Sequence, residues 1–73
     1  MKLFIGENIK RMRRERGLTQ EEMAKAIGVG QTAYCYFENG MRVPSIAVLI
    51  QIADYCNVSI DYLVGRVVRN AAE

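Results

Sequence analysis

Apolar residues in this chain recur at helical spacing, and glycine interrupts the pattern at intervals. Gly17, Gly28, Gly40 and Gly65 each follow a stretch with apolar residues three and four apart, and Asn57 follows another. All five positions suit the left-handed residue that ends a helix. The first stretch, about 5–16, sets Ile5, Ile9 and Met12 on one face and charges on the other. The second begins at Thr19-Gln20-Glu21-Glu22, where Thr19 and Glu22 have the spacing of a capping box. It runs over 20–27 with Met23, Ala24 and Ile27 as its buried stripe. The third, 31–39, turns Tyr34 and Phe37 inward. The fourth, 46–56, follows Pro44-Ser45: the serine caps it and the proline limits extension backward. Ile46, Leu49, Ile52, Ala53 and Cys56 are expected on its core side. The fifth, 60–64, has Ser59 as cap, then Ile60 and Leu63. No stretch alternates long enough to pair as a strand, so the pattern predicts an all-α, five-helix chain.

Length and composition narrow the class. Seventy-three residues permit one small core, and a chain of this size buries only about 60% of its unfolded surface. Half the residues are apolar, too many for a disordered tail. No apolar run approaches membrane-spanning length, and the charged start does not read as a signal peptide, so the cytoplasm is the expected compartment. Net charge is +2, unevenly spread: residues 1–16 hold six bases against two acids, while 45–65 hold Asp54, Asp61 and no base. That asymmetry fits one face meeting phosphate, although a run such as Arg11-Met12-Arg13-Arg14 also reads as a solvated helix face. Cys35 and Cys56 lie in separate helices with no histidine and no CxxC pair, so free thiols and no metal are expected. Catalytic constellations are equally missing: there is no G-x-S-x-G and no P-loop, and Gly28-Val29-Gly30 lacks the preceding strand that a dinucleotide turn requires. Neither enzymatic activity nor a cofactor or small-molecule ligand is expected.

The informative segment is 20–37. A helix of about eight residues, a three-residue turn at Gly28-Val29-Gly30 and a second helix with two large inward residues form the pattern of a helix-turn-helix. Ala24 is small where the two helices cross, and Gly28 can take the positive φ of a sharp turn. Met23, Ile27, Val29, Tyr34 and Phe37 fill the wedge between the helices. On the second helix, Gln31, Thr32, Cys35, Tyr36 and Asn39 are left as the polar or small positions. Glutamine can bond bidentately to adenine and a threonine methyl can touch that of thymine; with no Arg or Lys in 31–39, A·T pairs are the expected readout.

Residues 5–65 resemble the phage-repressor and Cro-type (XRE-type) helix-turn-helix family. The matching text is Ile9-x-x-Met12-Arg13, Gly17-Leu18-Thr19-Gln20-Glu21-Glu22-Met23-Ala24, Ile27-Gly28-Val29, Glu38-Asn39-Gly40, Pro44-Ser45, Leu49-x-x-Ile52-Ala53 and Val58-Ser59-x-x-x-Leu63-x-Gly65. Gly30 stands where the family usually has a Ser or Thr cap, and Tyr34 where it has an aliphatic residue. The resemblance implies a compact bundle of the lambda-repressor-like type, with 1–65 as the DNA-binding domain, the helix-turn-helix at 20–39 and a tail at 66–73. It implies that the third helix enters the major groove, with Gln31, Thr32, Cys35 and Tyr36 as base-reading candidates. Gln20, Asn39, Gly40, Arg42 and, more weakly, Arg11 become candidates for phosphate. Arg13 and Glu38 resemble the family's internal ion pair. A homodimer on double-stranded DNA is implied, with Ile60, Tyr62, Val64, Val67 and Val68 as contact candidates. The function expected is transcriptional regulation, more a repressor's than an activator's, because no separate activation domain is present. The competing reading is a protein-interaction module of the same fold, such as an antitoxin or coactivator.

Overall fold

Helix boundaries follow from local hydrogen bonding. The computed structural model describes residues 4–66, in the order α1 (Ile5–Glu15), α2 (Gln20–Ile27), α3 (Gln31–Asn39), α4 (Ile46–Cys56) and α5 (Ile60–Val64). Thr19 Oγ1 accepts from the Glu22 amide while the Glu22 carboxylate accepts from the Thr19 amide, completing the capping box. Ser45 and Ser59 cap α4 and α5 in the same way, each accepting from the amide three residues on. Each of the five left-handed stops expected from the sequence has positive φ. At Gly28 the turn is closed by amide-to-carbonyl bonds from Gly28 to Lys25 and from Val29 to Ala24, so a residue with a β-carbon would be strained there. Among the described residues the helices are the only regular elements, and none is long and apolar enough to cross a membrane.

The stripes meet in one core. α1 packs on α3 and α5, α2 on α3 and α4, and α4 on α5. Ile9, Met12, Met23, Ile27, Tyr34, Ile52 and Leu63 are almost fully buried within it. Two polar clasps tie α1 to the far helices. Arg16 donates to the carbonyls of Met12 at 3.1 Å and Cys56 at 2.8 Å, the latter at the end of α4 where a cation is favoured. Asn8 donates to the Leu63 carbonyl at 3.0 Å.

Two apolar positions depart from expectation. Ile46 is 75% exposed, because the first residue of α4 lies where no neighbouring helix covers it; Leu49 is half-buried and Val48 shares its place against the core. Ile60, a dimer candidate, is exposed. Val64, a dimer candidate, is 9% exposed and belongs to the core, its carbonyl accepting from the Phe4 amide. The five-residue α5 is laid against α1 and α4, and that docking turns Val64 inward together with Leu63. Val67 and Val68 lie outside the described residues.

Candidate nucleic-acid interface

A buried polar cluster fixes α3 to the two helices before it. Arg13 approaches Glu38 with both arms of its fork, Nε to Oε2 at 2.7 Å and Nη2 to Oε1 at 3.2 Å. Its remaining nitrogen donates to the Leu18 carbonyl at 2.8 Å. Gln20 Nε2 adds a bond to Glu38 Oε1 at 3.0 Å. The Glu38 side chain is 1% exposed and that of Arg13 13%. Burial alone would raise the Glu38 carboxyl, but Arg13, the adjacent Tyr34 hydroxyl and Gln20 outweigh it and hold the group below the usual carboxylate range. Arg13 is pushed up in turn by its bond to Glu38. The Tyr34 hydroxyl is sealed from solvent, which pushes its ionisation far upward. It lies close enough to Glu38 and Arg13 to feel both, yet forms no well-aligned hydrogen bond with either.

With Tyr34, Phe37 and Glu38 held inside, the opposite side of α3 is presented outward. Gln31, Thr32, Tyr36 and Asn39 are exposed and Cys35 is half-buried. At 100° per residue these five positions occupy an arc of about 140° on one face. Asn39 donates to Cys35 Sγ at 3.6 Å, linking two neighbouring positions of that face. Gly30 caps α3 with an extended backbone and no side-chain bond, so the first amides of α3 end in a positive dipole beside Gln31 and Thr32. At the other end, Gly40 and Met41 donate to the Phe37 and Tyr36 carbonyls, and the chain emerges with Arg42 exposed. The polar reading candidates thus share one face with the helix N-terminus, and an exposed cation follows the helix, groups of the kinds that meet base edges and phosphate.

Two candidates are placed elsewhere or engaged differently. Arg11 lies two residues from Arg13, about 200° around α1, on the flank that faces α5. Its Nη1 donates to the Tyr62 hydroxyl at 2.9 Å and its Nη2 to Asn8 at 3.3 Å, and its charge stands 3.5 Å from Glu15. The Tyr62 bond is the main reason its pKa is raised. Arg11 thus does not join the α3 face, and Tyr62, a dimer candidate, is occupied by it. Gln20 sits at the start of α2 and gives one side-chain N–H to Glu38, a bond that braces α3. The Leu18 carbonyl, which completes the Arg13 fork, carries no signal in the sequence because it is a main-chain group. Cys35 and Cys56 are both free thiols, and burial pushes the Cys56 thiol up.

Known proteins match this arrangement along most of the chain. The model of the helix-turn-helix family HTH_3 matches residues 9–63. An uncharacterized HTH-type transcriptional regulator of Bacillus subtilis, YqaE, is 41% identical over 60 residues, 82% of this chain and 52% of its own. The cryptic phage CTXphi transcriptional repressor RstR of Vibrio cholerae is 39% identical over 62 residues, 85% of this chain and 55% of its own. Among solved structures, the biofilm master regulator SinR of Bacillus subtilis in complex with DNA superposes with a TM-score of 0.75 at 31% identity, covering 82% of this chain and 97% of that one. The chain spans about half the length of the curated relatives it matches.

Proposed function

The chain belongs to the helix-turn-helix family HTH_3, and from that premise we propose that it is a sequence-specific double-stranded-DNA-binding regulator of transcription, acting as a repressor in the cytoplasm. The observation that carries this reading is the outward polar face of α3, held in place by the buried Arg13–Glu38–Gln20 cluster. α3 enters the major groove; Gln31, Thr32, Cys35 and Tyr36 meet base edges, and Asn39, Gly40 and Arg42 meet phosphate. Occupying a site that polymerase also needs is sufficient for repression. The similarity to a phage repressor and to a regulator solved on DNA supports the assignment. One nine-residue helix without Arg or Lys reads little sequence by itself, so the operator is a palindrome bound by a homodimer, with half-sites one helical turn apart, about 34 Å. Exposed Ile60 and the segment beyond α5, with Val67 and Val68, supply the proposed contact between copies.

Selection of bound duplexes from a random pool tests the reading. A palindromic site with A·T pairs under Gln31 and Thr32 supports it, with log affinity falling against log salt at about −0.9 per phosphate neutralised. Failure to shift any duplex at low salt refutes it. That result would favour the protein-interaction module, for which the observation is the exposed apolar group Met41, Val43, Ile46 and Ile50. Sedimentation showing only monomers at micromolar concentration, with and without the selected site, would remove the dimer.

A further inference from the structure

α1 and α3 touch main chain to main chain at Gly6. A β-carbon placed on Gly6 would lie 2.7 Å from the carbonyl oxygens of both Phe37 and Glu38, and 3.1 Å from the Glu38 carbonyl carbon. Such separations are shorter than van der Waals contact, and because all three atoms are backbone no rotamer change relieves them. Gly6 lies inside α1 and is not among the positive-φ glycines, so the contact and not the backbone conformation calls for glycine. Intrinsic preference opposes it, since alanine is the better helix former. Gly6 and Arg13 share the flank of α1 that meets α3. The carbonyls admitted by Gly6 belong to the last turn of α3, directly before Asn39 and Gly40.

We propose that Gly6 is a positioning residue for DNA reading: its missing side chain lets the last turn of α3 seat against α1, and this sets how the outward face of α3 and the loop 40–45 are presented. The proposal rests on the DNA-binding reading above. A methyl at Gly6 forces the Phe37 and Glu38 carbonyls away from α1 while the Glu38 carboxylate stays tied to Arg13 of the same helix. With both constraints acting on one turn, α3 must tilt or rotate.

The test compares wild type, Gly6→Ala and a core control, Ile52→Val, each titrated with the selected duplex and with a scrambled duplex well below the melting temperature. Loss of folded fraction weakens both affinities equally and leaves their ratio unchanged, whereas a misplaced α3 lowers the ratio. Gly6→Ala is expected to lose about tenfold in the ratio, comparable to one mismatched base pair, with Ile52→Val keeping the wild-type ratio. An unchanged ratio in Gly6→Ala overturns the proposal. If Gly6→Ala is unfolded in buffer, the titration is repeated in trimethylamine N-oxide, which favours the folded state; failure to fold there also overturns it, since Gly6 would then serve folding alone. A wild-type protein that does not discriminate the two duplexes removes the DNA-binding reading itself, and is distinguished by its own ratio.

Discussion

Replacing Arg13 by alanine should unfold this domain far more readily than the loss of one arginine would suggest. The Glu38 carboxylate, 1% exposed, would keep only the Gln20 amide as a well-aligned donor, and the Leu18 carbonyl would lose its side-chain partner. An exposed ion pair is worth about 0.2–1 kcal/mol. A buried charge stripped of its partner costs about 3–5 kcal/mol, and the burial of Glu38 puts Arg13→Ala in that class. A domain of this length has only about 4–11 kcal/mol of stability, at roughly 0.05–0.15 kcal/mol per residue. With each kcal/mol shifting the melting temperature by about 4–8 °C at this size, the drop should be at least about 12 °C. The pH dependence is a second signature. In the wild type the Glu38 carboxyl is held below its ordinary value, so its contribution is full above the unfolded-state value and fades as pH falls through the lower folded one. Without Arg13, burial dominates and pushes the carboxyl up, so the penalty is full near neutrality and shrinks on acidification. Urea unfolding followed by far-ultraviolet circular dichroism at about pH 7 and about pH 5 measures both effects. The double variant Arg13→Ala/Glu38→Gln should recover part of the loss by removing the stranded charge. A cost below about 1 kcal/mol, or one that does not shrink at the lower pH, would refute the argument.

Three further outcomes follow from the same geometry. Gln31→Ala should cost about 1–3 kcal/mol of discrimination at one base pair while leaving the unfolding midpoint unchanged; a selected site with only guanine under that residue would contradict the A·T reading. Arg42→Ala should lower the salt slope of binding by about 1 with no change in base preference, measured by titration at several ionic strengths. Tyr34→Phe removes a buried hydroxyl with no well-aligned hydrogen bond but also a group that helps hold Glu38 ionised, so the two effects oppose and stability should change by less than about 1 kcal/mol. A urea midpoint lowered by more than that would show instead that the hydroxyl donates to Glu38.

Features governed by neighbours along the chain were legible before any coordinates. The Thr19–Glu22 box, the Ser45 and Ser59 caps and the left-handed residues at Gly28, Gly40, Asn57 and Gly65 depend on groups within five residues. The outward positions of α3 were equally legible, because the inward ones, Tyr34 and Phe37, carry an unambiguous apolar signal. Positions whose burial depends on which helix covers them were not. Ile46 continues an apolar row yet is exposed at the start of α4, and Val64 looks like a surface residue of a short helix yet is packed inward. Arg11 and Arg13 are indistinguishable by type; the family resemblance singles out Arg13, and the packing of α1 against α3 on one flank and α5 on the other shows why. Gly6 shows in the sequence only as a glycine inside a predicted helix, and its role appears only when the carbonyls of α3 are set beside it.

On α3 the residues that hold the helix and those that would read DNA occupy different positions. Tyr34, Phe37 and Glu38 are buried, whereas Gln31, Thr32, Tyr36 and Asn39 are exposed. Exposed substitutions away from caps and networks change stability by only about 0.5 kcal/mol, so sequence preference can be altered at 31, 32 and 36 with the scaffold left intact. Cys35 is the exception: it is half-buried and accepts from Asn39, so a change there acts on packing and on the interface at once. The separation also predicts how variants divide. Changes at 31, 32 or 36 should move base preference at constant melting temperature, and changes at 13, 34 or 38 should move melting temperature first. Gly6, on α1 like Arg13, is expected to move both, because the turn it supports carries the Glu38 anchor and leads directly into Asn39 and Gly40.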